Sequence, residues 1–384
     1  GNVPGVARSG ITLWLADPRT RAQRVEEVLD ADPSSVAISE SGVWAVVCQR
    51  RTDLLDRFLT GTPPRGRFLA AGVRWVPLYS RGTGRWLPGQ QAAYAGLLGG
   101  VAADAGAKVY ERTAAITAAA PLGDAGRDVV IALVCRHPDQ DTAKEAWRTT
   151  EAWAGWLPDI AALITGQLTD LNDQILWGLA IRPLLTLVTS GQHGAVLGDI
   201  MVRLADLDRD RSGIDDPGHD RPARRRLDSI VESAEMRVLA SRRDWPPLAE
   251  AGRFLAAKAD CARQAATLLV FAVDPGPDRG QRLAAELTAV CDLLDGAPAT
   301  AAQVAQVLAR HVANGRGDMD TLNTAIAALA SDPRPCAGLL ATSLAAQGGR
   351  FGWPAQWRAQ VHRLRTHPLP DVRAAALEID MSAR

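Results

Sequence analysis

Apolar residues recur at three- and four-residue spacing along nearly the whole chain, and Pro or Gly breaks the pattern at short intervals. That spacing gathers apolar side chains on one face of an α-helix, and the breaks hold each helix to a few turns. The periodicity predicts helices over 21–29, 90–105, 109–119, 124–135, 142–154, 157–165, 172–188 and 195–207. It resumes over 225–239, 248–258, 262–272, 279–294, 301–312, 322–330, 335–346, 355–364 and 372–379. Short helices with tight breaks at Trp156-Leu157-Pro158, Asp274-Pro275-Gly276-Pro277 and Asp332-Pro333 suit antiparallel helix pairs. The composition agrees: 47% of residues are hydrophobic, mostly Ala, Leu and Val, whereas three Tyr and five Phe leave strand formers thin. The expected class is all-α.

Weak internal similarity supports an array of helix pairs. Arg112–Ile116, Arg263–Leu268, Arg282–Leu287 and Arg373–Leu377 each set an Arg before small residues and then an aliphatic. Small residues let paired helices approach closely while the aliphatic fills the seam. The last of these lies in His367-Pro368-Leu369-Pro370-Asp371-Val372-Arg373-Ala374-Ala375-Ala376-Leu377, which resembles the Pro-Asp-Val-Arg signature of HEAT repeats. The resemblance implies an α-solenoid of stacked antiparallel helix pairs, with Asp371 and Arg373 in a polar ladder between neighbouring repeats. It also implies a scaffold that holds partners, although some HEAT-like proteins are DNA glycosylases. The signature is complete at this one place.

Two stretches depart from plain helices. Thr62–Pro88 carries four prolines and alternating bulky residues, which predicts an extended insert or irregular hairpin turning at Arg81-Gly82-Thr83-Gly84. Residues 207–222 are charged and contain Gly and Pro, and are expected to link an N-terminal lobe (1–206) to a C-terminal lobe (223–384).

The insert is also the candidate partner site. From Arg50 to Arg85 eight arginines face only Asp53 and Asp56, and Phe58, Phe68, Trp75, Tyr79 and Trp86 interleave with them. Arg65, Arg67, Arg74, Trp75, Tyr79, Arg85 and Trp86 therefore form the candidate contact set. Arginine with aromatics anchors protein interfaces, and it also serves single-stranded nucleic acid, where bases stack on rings. The same residues also suit a loop packed by its own aromatics.

Charge weighs against nucleic acid. Basic and acidic residues balance at 43 each, whereas phosphate binders draw most of their affinity from a basic excess. The abundance of Arg over Lys, alongside so much Ala, reads as high-GC coding bias.

No motif assembles catalysis or a cofactor site. The chain has no CxxC, P-loop, Gly-x-Gly-x-x-Gly or Gly-x-Ser-x-Gly, and its six histidines lack metal spacing. Asp208–Asp216 resembles the first half of an EF-hand loop, but His219 stands where a bidentate Glu belongs, so a charged linker is the expectation. Trp147, Trp153 and Trp156, and again Trp353 and Trp357, are expected to fill gaps between helices. The five cysteines, odd in number and widely spaced, read as reduced, core-packed thiols of a cytoplasmic protein. No apolar run is long enough for a transmembrane span. The opening Gly-Asn-Val-Pro-Gly reads as the start of a piece of something longer. The functional expectation is a scaffold, adaptor or sensor module with protein partners and no cofactor; a nucleic-acid-binding solenoid and a helical enzyme with a dispersed site are the alternatives.

Overall fold

The computed structural model describes residues 4–31, 41–59, 76–78, 82–136, 138–151, 160–172, 177–189, 194–211, 221–241, 245–313 and 317–382. Among them are twenty α-helices, several short 3₁₀ turns and no strand, so the protein is all-α. It divides into two compact units, 1–153 and 154–384. Composition had placed the division at 207–222. The helix before that segment instead runs on to Arg211 and packs directly on the helix that begins at Pro222, so both sides belong to one unit.

The first unit contains α1 (Pro4–Trp14), α2 (Arg21–Ala31), α3 (Ser41–Gln49), α4 (Asp56–Leu59), α5 (Pro88–Ala103), α6 (Val109–Ala119), α7 (Gly123–Cys135) and α8 (Gln140–Glu151). From α5 onward each helix packs on its successor, and α5 also meets α7 as α6 meets α8. That is a two-layer array. Helix starts are satisfied locally: Gln90 Oε1 accepts from the Leu87 N–H at 3.1 Å and Glu111 Oε2 from the Lys108 N–H at 3.0 Å. Each reaches back from the third helical position to a donor that the helix itself leaves unpaired.

The second unit contains α9 (Ile160–Thr169), α10 (Ile181–Thr189), α11 (Gly194–Arg211), α12 (Pro222–Ser241), α13 (Pro246–Ala256), α14 (Ala262–Phe271) and α15 (Gly280–Leu293). It continues through α16 (Pro298–Ala313), α17 (Met319–Leu329), α18 (Pro335–Ala345), α19 (Ala355–Arg365) and α20 (Pro370–Leu377). One layer packs α11 on α13, α15 on α17 and α17 on α19; the other packs α12 on α14, α14 on α16, α16 on α18 and α18 on α20. Pro at the first helical turn opens α13, α18 and α20, where its missing N–H is no loss. Small residues set the spacing between helices. A Cβ on Gly338 of α18 would lie 2.5 Å from Val372 Cγ2 of α20, and one on Gly280 would lie 2.5 Å from Thr324 Cβ of α17. Such close approach is open only to glycine.

Charged side chains link helices that are distant in sequence. Arg263 bonds Asp228 at 2.7 Å, Arg224 bonds Asp260 at 3.0 Å, and Arg310 bonds Glu235 at 2.6 Å. Arginines, one buried and one half-buried, close the turns. Arg226, 1% exposed, donates to the carbonyls of Leu168 at 2.9 Å and Asp170 at 2.8 Å, at the end of α9. Arg373 does the same for His367 and Pro368, both at 2.7 Å. The orphan carbonyls at helix ends explain why so many arginines are spent in this way.

Candidate functional site

Among the seven predicted contact residues, Arg65, Arg67, Arg74, Trp75 and Tyr79 lie outside the described residues. Arg85 and Trp86 are placed, and they serve the fold. α3 ends at Gln49, and a helix gives its last carbonyls no partner of its own; Trp86 Nε1 donates to the Cys48 carbonyl at 3.0 Å and Arg85 to that of Gln49 at 2.8 Å. Gly82 makes the turn with φ +88°, and a Cβ there would lie 2.9 Å from the Cys48 carbonyl oxygen. The expected turn at residues 81–84 thus has a physical reason at Gly82. Trp86 is 4% exposed, against Trp44 at 6.0 Å and Tyr94 at 5.3 Å between ring centres. A ring so buried cannot anchor a partner, so Trp86 is corrected from contact residue to core. Arg85 remains exposed, with its charge directed at the end of α3.

Other expectations resolve likewise. Trp147, Trp353 and Trp357 are buried, whereas Trp153 and Trp156 lie outside the described residues. Asp208, the first position of the EF-hand-like stretch, sits within α11, 3% exposed, and is bonded to Arg221 at 2.5 Å and Arg224 at 3.0 Å. Its carboxylate is matched by guanidinium. Among the described residues no cluster of three His, Cys, Asp or Glu could hold a metal ion. Cys48, Cys261, Cys291 and Cys336 are buried, but Cys135, at the end of α7, is exposed and departs from the core-packed expectation. Asp371 and Arg373 were expected in a ladder between repeats; Arg373 donates to the carbonyls of His367 and Pro368 in the turn before its own helix.

The site that sequence reasoning missed lies in the second unit. Next-but-one helices pack closely along both layers, but α13 and α15 do not, and a groove of about 420 Å³ opens there. That volume falls within the range of small-ligand and side-chain pockets. Ala249, Leu269, Ala272 and Val273 give it an apolar floor, and Arg253, Arg279, Arg282, Asp274 and Glu286 stand around it.

The loop that holds the groove open is braced from below. The Asp318 N–H donates to the Pro275 carbonyl at 2.9 Å, and Thr321 Oγ1 donates to the Gly276 carbonyl at 2.9 Å. Asp278 adopts φ +60°, a left-handed conformation that non-glycine residues hold only under constraint. Asp318 also caps α17 by accepting the Thr321 N–H at 3.0 Å, so loop and helix start are one rigid piece. The rim charges are partly spent: Arg279 pairs with Asp274 and Arg282 with Glu286, each at 2.8 Å. The Glu286 carboxylate holds the Arg282 guanidinium above its ordinary pKa. Arg253 is exposed and has no acidic partner among the described residues. The groove therefore offers an apolar bed and one uncommitted cation.

No protein-family profile matches this chain, and no curated protein matches it. Among solved structures it is similar to the crystal structure of an engineered protein, at 16% identity, over 96% of this chain and 97% of that one, with a TM-score of 0.25. A likeness that low carries no argument about function.

Proposed function

We propose that this chain is a HEAT-like helical adaptor that holds a segment of a protein partner in the groove between α13 and α15. The observation that carries the reading is the break in an otherwise regular two-layer array, at the place where an unpaired arginine stands beside an apolar floor. Helix-pair arrays bind through such extended surfaces, since each pair contacts only its neighbours and leaves a continuous face. The charged links Arg224–Asp260 and Arg263–Asp228 tie α12 to the start of α14, 36 and 35 residues further along the chain, as stacked helix pairs do. Charge complementarity selects the occupant: a peptide with a carboxylate for Arg253 beside an aliphatic side chain for Leu269 and Ala272. Arginine is suited to that task because its planar fork meets a carboxylate bidentately.

The test is a selection from a random peptide display library, followed by fluorescence anisotropy on the enriched sequences. Enriched peptides should pair an acidic residue with an aliphatic one. Arg253→Glu should weaken them at least about tenfold, the loss expected when a charge-assisted bond becomes a repulsion. Ala249→Trp, which fills the groove, should block them while circular dichroism stays unchanged. Binding that survives both substitutions would refute the assignment, as would a selection that enriches no acidic residue.

A further inference from the structure

A second groove lies within the first unit, and its charge differs from that of the groove between α13 and α15. α1, the start of α2 and α3 line a space of about 460 Å³, a volume that suits a small ligand. Leu15 and Val46, each 5% exposed, form its floor, and half-buried Ile11 and Ala45 extend the apolar wall. Arg21 and Arg50 also line it, and among the described residues no acidic side chain does.

The chain itself holds both arginines in place. Arg21, the first residue of α2, donates through Nε to the Leu15 carbonyl and through Nη2 to that of Ala16 at 3.0 Å. Arg50 donates to the Pro18 carbonyl at 3.3 Å. These bonds fix the guanidinium groups without neutralising them. A guanidinium has five N–H donors, so two are spent at Arg21 and one at Arg50, and the others remain. Carboxylates nearby in the chain are engaged elsewhere. Asp17 accepts the Arg19 N–H at 2.9 Å and the Thr20 hydroxyl at 3.4 Å, and Glu26 and Asp53 each pair with Arg51 at 2.7 Å. The groove thus sets two cations beside an apolar bed with no counter-charge in its lining.

We infer that this groove binds a small amphipathic carboxylate, an apolar body that ends in one carboxylate group. The carboxylate meets Arg21 and Arg50, and the body lies along Ile11, Leu15 and Val46. A planar guanidinium receives a carboxylate through two parallel N–H bonds, and a side chain already anchored loses little freedom on binding. Each half of the ligand is needed. A bare inorganic anion would leave the apolar bed in water, and a neutral apolar molecule would strip water from the guanidinium groups without replacing its hydrogen bonds. An organic cation would be repelled.

The test is saturation-transfer difference NMR on the full chain, titrated with octanoate, octan-1-ol and octylamine, which share one apolar body and differ in head group. Octanoate should bind at least about tenfold more tightly than octan-1-ol, as a charge-assisted contact provides, and octylamine should show no saturable binding. Arg50→Gln gives up one bond to the Pro18 carbonyl, and Arg21→Gln keeps a donor for the end of α1. Each should weaken octanoate about three- to tenfold and leave octan-1-ol unchanged. Ala45→Trp, which fills the groove, should remove both ligands. Octanoate should still bind the Ala249→Trp chain, in which the groove between α13 and α15 is filled instead. Circular dichroism and thermal melting establish that each variant is folded. The inference is overturned if octanoate shows no saturable binding, if octanoate and octan-1-ol bind alike, or if octanoate survives Ala45→Trp or is lost with Ala249→Trp. The comparison of the three probes on the unaltered chain depends on no variant.

Discussion

Arg112 of α6 gives the sharpest measure of how the helix pairs are joined. Its side chain is 7% exposed and meets Asp139, at the start of α8, at 2.9 Å. It also donates to Thr142 Oγ1 at 3.1 Å and to the carbonyls of Asp104, Ala105 and Ala107 in the turn before α6. Substitution by Met keeps the aliphatic stem packed and removes every donor. Losing a charge-assisted bond costs about 1.5–3 kcal/mol, and breaking a buried pair outright about 3–5 kcal/mol. Asp139 is 30% exposed and residues 104, 105 and 107 are half-buried or exposed, so water recovers part of the loss. Arg112→Met should therefore cost about 2–4 kcal/mol. Asp139→Asn retains an acceptor for the Thr142 N–H, seen at 3.1 Å, and should cost about 1 kcal/mol.

A double-mutant cycle in urea, read by far-ultraviolet circular dichroism and Trp fluorescence, then isolates the pair. Their coupling should be about 1–2 kcal/mol; additivity within about 0.5 kcal/mol would refute the link between α6 and α8. An acid titration adds an independent readout. Burial pushes the Asp139 carboxyl up, but Thr142 and then Arg112 more than reverse this, and its pKa lies below the ordinary value. A lowered carboxyl contributes stability that is present above the unfolded pKa, about 4, and is lost as pH falls through the folded value. Arg112→Met should make that acid limb shallower.

Two further perturbations test the packing of the second unit. Gly338→Ala places a methyl group 2.5 Å from Val372 Cγ2, and overpacking of this kind costs about 1–3 kcal/mol although Ala is the better helix former by about 1 kcal/mol. Thermal denaturation should show a loss, largely restored by Val372→Ala; a gain in stability would mean that α18 and α20 are not in close contact. His367 is 6% exposed, its Nδ1 accepts the Leu369 N–H at 3.2 Å, and burial, with Arg363 and Arg373, lowers its pKa. Below about pH 6.5 the unfolded chain takes up a proton that the folded chain resists, so stability is present above that pH and falls below it. His367→Asn should flatten the denaturation midpoint between pH 5 and 7.5, and an unchanged slope would exclude His367 as its source.

Much of the fold was legible because helices report themselves locally. The spacing over 109–119 and 262–272 reproduces α6 and α14 to within a residue, Pro335 marks a real helix start, and the period beginning at Arg279 becomes α15 one residue later. α3 escaped because Val43, Trp44, Val46, Val47 and Cys48 are buried on every side, which leaves no polar face to set a period. The seam between units was misplaced for a related reason. Charge at 206–211 signals exposure only when it is unpaired, and Asp208 finds its arginines 13 and 16 residues further along the chain.

The site depended still more on tertiary structure. Thr62–Pro88 carries arginines beside aromatics, and sequence alone cannot say whether a ring faces out or in; Trp86 faces in because the end of α3 needs a donor. In the other direction, Arg253, Arg279 and Arg282 have no distinctive spacing. They become a rim because α13 and α15 part around a loop braced on α17. Helicity is a property of each segment's own periodicity, and so the sequence by itself determined it. Which surfaces stay open depends on how segments tens of residues apart come together, and only the tertiary structure decided that.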